Sequence, residues 1–351
     1  MKYYAGLDVS LKETAVCIVD QNGEIVKEGS VFTEPEDICR FLQTAGVQFD
    51  RVGLEAGSLS PWLCHSLTAM GLPVVCMETY HAKAALQAQK VKTDRNDARG
   101  LAHIMRTGWF KAVHVKSDQS QKLRVLLKNR RCLVEKRVDL ENQIRGTLKV
   151  FGLKTGQITA LGYEGRIREL IDGDRDLELY VIPMLLVRQA VLEQQRKLDK
   201  LVRDVVKEDA VCRRLMTIPG VGALTALGFK TSIDNPYRFK KSRHVGSHLG
   251  LTPRKYASGE IDYDGQITKC GDALARSSLY EAAIVLMCRS KKWSALKAWG
   301  MKIARRSSMK NACVAVARKL AVIMHRMWID GTDFQWGREP AAAMVATGCA
   351  A

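Results

Sequence analysis

The first 32 residues hold three short β-forming runs, and a chain that starts this way has to build a sheet before anything else. Residues 3–9 and 13–20 are largely apolar, and 24–32 alternate more. Asp20-Gln21-Asn22-Gly23 supplies a hairpin turn between the second run and the third. A helix is expected from about Pro35 to Thr44, with Ile38, Phe41 and Leu42 inward. Next come a short buried strand Arg51–Glu55, a helix carrying Trp62, Leu63, Leu67 and Met70, a strand Val74–Met77 and a helical stretch from His81.

Three antiparallel strands, helix, strand, helix, strand and helices give an α/β mixed sheet in the order of the ribonuclease H-like fold. The stretch Lys92-Thr93-Asp94-Arg95-Asn96-Asp97-Ala98 follows it. Thr93 or Asp94 can cap a helix here, and Asp94 and Asp97 then share a face. Ala98, Leu101, Ala102, Ile104 and Met105 continue at helical spacing. Taken alone, two acids in a first turn only complement the helix dipole. Together with Asp8 at the end of the first strand and Glu55 at the end of the fourth, they converge on one edge of such a sheet. Four carboxylates that close repel unless cations compensate them. Oxygen-only ligation completed by a substrate phosphate suits Mg²⁺ or Mn²⁺, and a paired-metal site would orient the attacking and leaving oxygens of a phosphodiester. Asp8, Glu55, Asp94 and Asp97 are therefore the candidate catalytic and metal-binding acids.

The charge balance points the same way. The chain has 351 residues, a net charge of +18 and a pI near 9.5. Residues 212–326 hold 22 Lys and Arg against 6 Asp and Glu. A basic field that concentrated implies a polyanion partner, nucleic acid first. The ten cysteines are scattered with no Cys-x-x-Cys pair, which argues against a zinc site and for a reducing cytoplasm. No signal-peptide layout opens the chain, and no uninterrupted apolar run is long enough to span a membrane.

Four segments are expected: a catalytic domain over 1–118, a helical coiled-coil hairpin over 119–207, a mainly α C-terminal domain over 208–338 and an Ala-rich, loosely ordered tail over 339–351. In the second segment Leu123, Leu127, Val134 and Val138 fall close to a heptad seam, widened by Leu126, Leu133, Leu140 and Ile144. Val181, Met184, Val191, Leu198, Val202 and Val205 repeat this on a second arm, where Pro183 marks a kink or the true start. An ordinary helical bundle is the alternative. In the third segment, Ile218-Pro219-Gly220-Val221-Gly222 is similar to the turn of a helix-hairpin-helix motif, whose amides at Gly220 and Gly222 would meet a phosphate. A helix around 237–249 carries Arg238, Lys240, Lys241 and Arg243. Residues 252–271 read as a polar, basic loop with Arg254, Lys255 and Lys269, and Asp272 caps a helix to about Arg289. Basic amphipathic helices follow at roughly 293–304 and 308–328.

Gly6-Leu7-Asp8-Val9-Ser10, Gly53-Leu54-Glu55-Ala56 and Lys92–Ala98 resemble the three acidic motifs of the DEDD transposases. This is the insertion-sequence family that includes Piv-type DNA invertases, with a RuvC-like N-terminal domain. Gly250-Leu251-Thr252-Pro253, Ser258-Gly259 and Lys269-Cys270-Gly271 resemble the second domain of that family. The resemblance implies a site-specific recombinase in which Ser258 attacks DNA, assisted by metal on the acids. It also implies donor and target double-stranded DNA and a structured guide RNA from the element itself; the helical hairpin over 119–207 is in turn expected to mediate self-association into a homo-oligomer, dimer or tetramer. Arg254, Lys255 and Lys269 become phosphate contacts beside Ser258, with Lys240, Lys241 and Arg243 in the same role. Three other readings compete: a junction-resolving nuclease using water, a tyrosine recombinase built on Tyr256 with Arg254, His244 and His248, and a non-catalytic nucleic-acid-binding protein.

Overall fold

The computed structural model describes residues 1–87 and 91–337, with His81 and Ala85 described by backbone alone. The chain divides into two compact units, residues 1–116 and 117–351.

The first unit is an α/β layer structure. Strands β1 (Tyr3–Val9), β2 (Glu13–Asp20) and β3 (Ile25–Phe32) are followed by helix α1 (Pro35–Gln43), strand β4 (Phe49–Glu55), helix α2 (Ser60–Ala69), strand β5 (Val74–Met77), helix α3 (Thr79–Leu86) and helix α4 (Asp94–Thr107). The sheet order is β3-β2-β1-β4-β5. The first three strands pair antiparallel, while β1–β4 and β4–β5 are parallel. This is the mixed ribonuclease H-like order. The β2–β3 turn is fixed locally, because Asp20 Oδ1 accepts from the amides of Asn22, Gly23 and Glu24 at 2.8–2.9 Å and Gly23 takes φ of 98°. One face of the sheet buries Leu7, Ile18, Val52 and Leu54 against α1 and α2. The other buries Tyr4, Cys17 and Val19 against α4. Trp62 on α2 and Met70 at its C-terminal end are exposed; Leu63, Cys64 and Leu67 form the buried side of the helix.

Helix α4 lies directly on the sheet, and two glycines make that possible. A Cβ at Gly6 of β1 would overlap the backbone of Ala98 and Ala102, and one at Gly53 of β4 would overlap the side chain of Met105. The seat is tightened from β3, where Glu28 accepts from Arg99 Nε and Nη2 at 2.7 and 2.9 Å and also pairs with Arg95.

The second unit is mainly helical: α5 (Asp118–Val150), α6 (Tyr163–Ile171), α7 (Arg175–Glu208), α8 (Ala210–Leu215), α9 (Ala223–Ile233), α10 (Arg243–His248), then strands β6 (Pro253–Ser258) and β7 (Ile261–Ile267), and α11 (Ala273–Ile284), α12 (Ala295–Arg306) and α13 (Met309–Asp330). Helices α5 and α7 pack as a long hairpin, and α7 runs through Pro183, which is therefore not its start. The fully buried apolar residues of the hairpin fall into two groups. Leu127, Val202 and Val206 join the C-terminal core at one end. Ile144, Leu148, Leu177, Val181 and Leu185 form a separate core with α6 at the other. In between, Val138 is exposed and Arg130 reaches Asp199 at 2.7 Å. Between the two end cores the seam residues Leu133, Val134, Leu140, Val191 and Leu198 are half-buried, beside the Arg130–Asp199 pair. At the far end, buried Arg188 donates to Glu141 at 2.9 Å, and the Tyr163 hydroxyl donates to the Glu141 carbonyl at 2.9 Å.

Two local expectations for the C-terminal part change, and a third holds. The helix around 237–249 is broken into a single turn at Pro236–Arg238 and α10. The loop 252–271 is an antiparallel hairpin, β6–β7. Helix α11 is capped by Asp272, which accepts from Leu274 and Ala275 at 3.0 and 3.2 Å, and it continues as a π-type turn over Val285–Arg289. The tail expected over 339–351 lies outside the described residues, as does Cys349; the other nine cysteines are free.

Candidate active site

The acids occupy the positions that the sheet order assigns them. Asp8 is near the end of β1, Glu55 ends β4, and Asp94 and Asp97 stand in the first turn of α4. Thr93 is the cap, its hydroxyl accepting from the Asn96 amide at 3.2 Å. The register does the positioning: β1 and β4 run parallel and adjacent, so their C-terminal ends open on the same edge. The glycines under α4 then bring its N-terminus down onto that edge.

Asp8, Glu55 and Asp97 line one cavity of about 700 Å³, together with Lys83 and Lys92. Asp97 is buried, 8% exposed. Asp94 lines a neighbouring cavity that shares Ser10 and Leu11 with the first. The carboxylates feel one another. Burial first, then the negative charges of Asp97 and Asp94, push the Asp8 carboxyl up to about 6, against a lowering pull from Lys92. Glu55 is raised by burial, then by Asp8 and Asp97. In such a set an added cation is stabilising.

Among the described residues, no group of three or more His, Cys, Asp and Glu stands ready to hold a metal ion. A site of this kind does not need a closed all-protein cage. Oxygen-only donors that repel one another fit the other arrangement, a divalent cation held by one or two carboxylates and completed by a substrate phosphate. Asp8, Glu55 and Asp97 around one cavity suit that arrangement. Lys83 and Lys92, on the wall of the same cavity, complete its charge pattern. Lys92 belongs to the motif stretch and is legible there as a cation beside the acids; Lys83 carries no such signal.

Ser258 ends β6 at the tip of the hairpin, exposed, and pairs with Ile261 across a two-residue turn. Gly259 takes φ of 57° in that turn, the left-handed conformation that glycine adopts freely. The Ser258 hydroxyl makes no hydrogen bond with any described residue. Tyr256 and Tyr263 stack below it with ring centroids 5.0 Å apart. Lys255 pairs with Asp262 at 3.1 Å, while Arg254 is exposed and unpaired among the described residues. The base of the hairpin is closely fitted. A Cβ at Gly250 would overlap the Cys270 backbone, and one at Gly271 would overlap the His248 carbonyl. Lys269 beside them holds φ of 54°.

The remaining basic positions separate into two kinds. Lys240, Lys241 and Arg243 are exposed. Arg238 is structural: it donates to the Ile233 carbonyl at 3.0 Å, lies against Phe239 and contacts His248 Nε2 at 2.9 Å. His248 is thereby tied to the fold, and Tyr256 to its stack. In the Gly220–Gly222 turn the two glycines differ. A Cβ at Gly220 would overlap the Ala282 carbonyl of α11, so its close approach is to protein, whereas Gly222 has open space around it. Only Gly222 presents its backbone outward.

Both halves of the chain are similar in sequence to known proteins. Residues 5–152 match the family model of IS110-type DEDD proteins, described as transposase. Residues 212–299 match that of the transposase IS116/IS110/IS902 family. The chain is 28% identical over 331 residues to the transposase for insertion sequence element IS1111A of Coxiella burnetii, covering 91% of this chain and 87% of the relative. It is 26% identical over 291 residues to the transposase for insertion sequence element IS1328 of Yersinia enterocolitica, covering 81% and 85%. The pilin gene-inverting protein of Moraxella bovis is 27% identical over 113 residues, 32% of this chain and 34% of that one. The described residues contain no helix long and apolar enough to cross a membrane.

Proposed function

Because the chain belongs to the IS110-type DEDD transposases, we propose that it cuts and rejoins DNA through a covalent serine–DNA intermediate, with Ser258 as nucleophile and divalent metal held on Asp8, Glu55, Asp94 and Asp97. The observation that carries this reading is the single cavity shared by Asp8, Glu55 and Asp97, in which burial and then neighbouring carboxylates raise the proton affinity of Asp8 and Glu55. Mg²⁺ or Mn²⁺ bound there supplies charge neutralisation of the phosphate. The protein's own residues do the rest. The Ser258 Oγ–P bond forms as the bond from phosphorus to a deoxyribose oxygen breaks, and the departing oxygen takes up a proton. Attack by another deoxyribose hydroxyl reverses the exchange, so the bond energy is conserved for rejoining, which attack by water would not allow. Arg254 and Lys269, with Lys240, Lys241, Arg243 and the outward turn at Gly222, hold backbone phosphates.

The partners follow as part of the same proposal: donor and target DNA, a structured guide RNA on the basic second unit, and a dimer or tetramer formed through the α5–α7 hairpin. Exposed Val138, Leu186 and Val187 on that hairpin support the last point. Light scattering of the purified chain at micromolar concentration should give more than one copy, and a uniform monomer with and without nucleic acid would remove it.

The central test is to incubate the chain with its element's DNA and Mg²⁺ and trap protein on the cleaved strand. Ser258→Ala should abolish the adduct, and Asp8→Asn should lower it by roughly a thousandfold or more. Adduct persisting in Ser258→Ala overturns the serine assignment. Cleaved ends without adduct in the unsubstituted protein would identify a water-using nuclease. RNA extracted from the purified complex should map to the element's flank.

A further inference from the structure

The second unit contains a groove that the proposed chemistry touches only at Arg243 and Lys269. It encloses about 830 Å³ between the base of the β6–β7 hairpin, α10, α12 and α13, a volume suited to a ligand of nucleotide size. Arg243, Lys269, Lys310, Arg318 and Lys319 bring five cations to its wall, and no acid lines it. Among the described residues none of the five has an ion-pair partner. Lys255, on the same hairpin but outside the groove, does have one, Asp262. Like charges gathered without counter-charge oppose folding unless an anion joins them. Lys310 adds a second cost. It lies in the first turn of α13, where the helix dipole disfavours a cation, and that turn has no acid to offset it.

Phosphate binding would explain the cations but not Trp299. This indole is 41% exposed and lines the same groove. An exposed aromatic face beside unpaired cations is the pairing that binds single strands, because an unpaired base can stack while its phosphates are neutralised. A paired base is already stacked and gains nothing from it. We propose that this groove binds an unpaired stretch of nucleic acid, one base stacked on Trp299 and the flanking phosphates on Lys310, Arg318, Lys319, Arg243 and Lys269. The site rests on the reading of the chain as a nucleic-acid recombinase and adds a single-strand subsite to it. Its place follows from the hairpin: the groove is at the base of the strands that carry Ser258 at their tip, roughly 17 Å along β6 at about 3.4 Å per residue.

The test is fluorescence anisotropy of the full chain with labelled single-stranded DNA, single-stranded RNA and duplex DNA of one sequence. Trp299→Ala should weaken single-strand binding about 5- to 100-fold, with duplex binding changed less than about threefold. Trp299→Phe should restore most of the loss. Replacing Lys310, Arg318 and Lys319 together by Gln should reduce the slope of log affinity against log salt by about 2, at roughly 0.7 for each phosphate no longer neutralised. A larger loss on RNA assigns the groove to an RNA strand, and a larger loss on DNA to a DNA strand. Single-strand affinity within about twofold in both Trp299→Ala and the triple Gln variant overturns the groove, as does an equal loss on duplex. If the unsubstituted chain binds none of the three probes, the recombinase reading itself falls; if it binds them and the variants do not differ, only the groove does.

Discussion

The acid pocket and the serine hairpin are built in opposite ways. Asp8, Glu55 and Asp97 come from two inner strands and a helix that are among the best-packed elements of the first unit. Their geometry is held by backbone contact across Gly6 and by the Glu28–Arg99 pair on the helix's outer side. Ser258 stands on two strands that are exposed along almost their whole length. An isolated two-stranded hairpin is marginal in water. Here the tyrosine stack, the Lys255–Asp262 pair, Ile267 against the core and the fitted glycines at its base restrain it. Repelling carboxylates need a rigid mount, because any slack would let them separate and lose their affinity for a cation. A nucleophile that meets a large polyanion can be ordered by it.

That contrast breaks most visibly at glycine. Gly6→Ala puts a methyl group into the backbone of α4, which cannot yield without lifting the helix off the sheet. The expected cost is about 3 kcal/mol or more, seen as a lower denaturation midpoint together with loss of strand cleavage. Gly259→Ala meets no atom within 4 Å and is opposed only by its left-handed φ of 57°. That costs about 1–2 kcal/mol, confined to the hairpin. Its global midpoint should not move, while adduct formation falls. Equal global midpoints for the two variants would mean that the pocket is not the rigid partner.

Much of the first unit is legible in the residues because every local signal agrees: strand runs, the Asp20–Gly23 turn and the Thr93 cap all fall where the sequence puts them. The acids are legible for the same reason, as strand ends and a first turn. What Gly6 and Gly53 do is not, since a close approach from α4 is set by elements far apart in the chain. The β6–β7 hairpin reads as a loop because both of its faces meet solvent, which erases the alternation that marks a half-buried strand. The signals that remain are Tyr256 and Tyr263 flanking a two-residue Gly-Glu turn. In sequence Arg238 is one more cation on a basic helix; only the fold reveals Phe239 and the Ile233 carbonyl as its partners.

A smaller effect tests whether the rigid pocket is strained by its own charges. The Asp8 carboxyl is raised from 3.8 to about 6 by burial and then by Asp97 and Asp94. The folded protein therefore binds more protons than the unfolded chain between about pH 4 and pH 6, and its stability falls as pH rises through that window. Without metal, Asp8→Asn should leave stability unchanged near pH 4 and raise it above about pH 6. The expected gain is about 1 kcal/mol, discounted because the carboxylate keeps contact with solvent. Added Mg²⁺ should reverse the order, stabilising the unsubstituted protein and not the variant. Denaturant titrations at about pH 4 and about pH 8, with EDTA and with Mg²⁺, read all four arms. A variant less stable than the original at the higher pH in EDTA would mean that the pocket is not strained by its charges.

The smallest expected change in stability sharpens the other side. Tyr256 and Tyr263 stack at 20° between ring planes, and such a pair contributes about 0.5–1.5 kcal/mol. The hairpin makes little further contact, so this energy stabilises the local structure and not the unit. Tyr256→Ala should shift the global stability by less than about 0.5 kcal/mol, while amides of β6 and β7 exchange faster in the free protein. Adduct formation should fall several-fold, and Tyr256→Phe, which keeps the ring and loses the hydroxyl, should retain it. That last arm also separates stacking from chemistry. If Tyr256→Phe abolished the adduct as completely as Ser258→Ala, the phenol and not the serine would carry the nucleophilic oxygen, and the hairpin's exposure would serve a different residue.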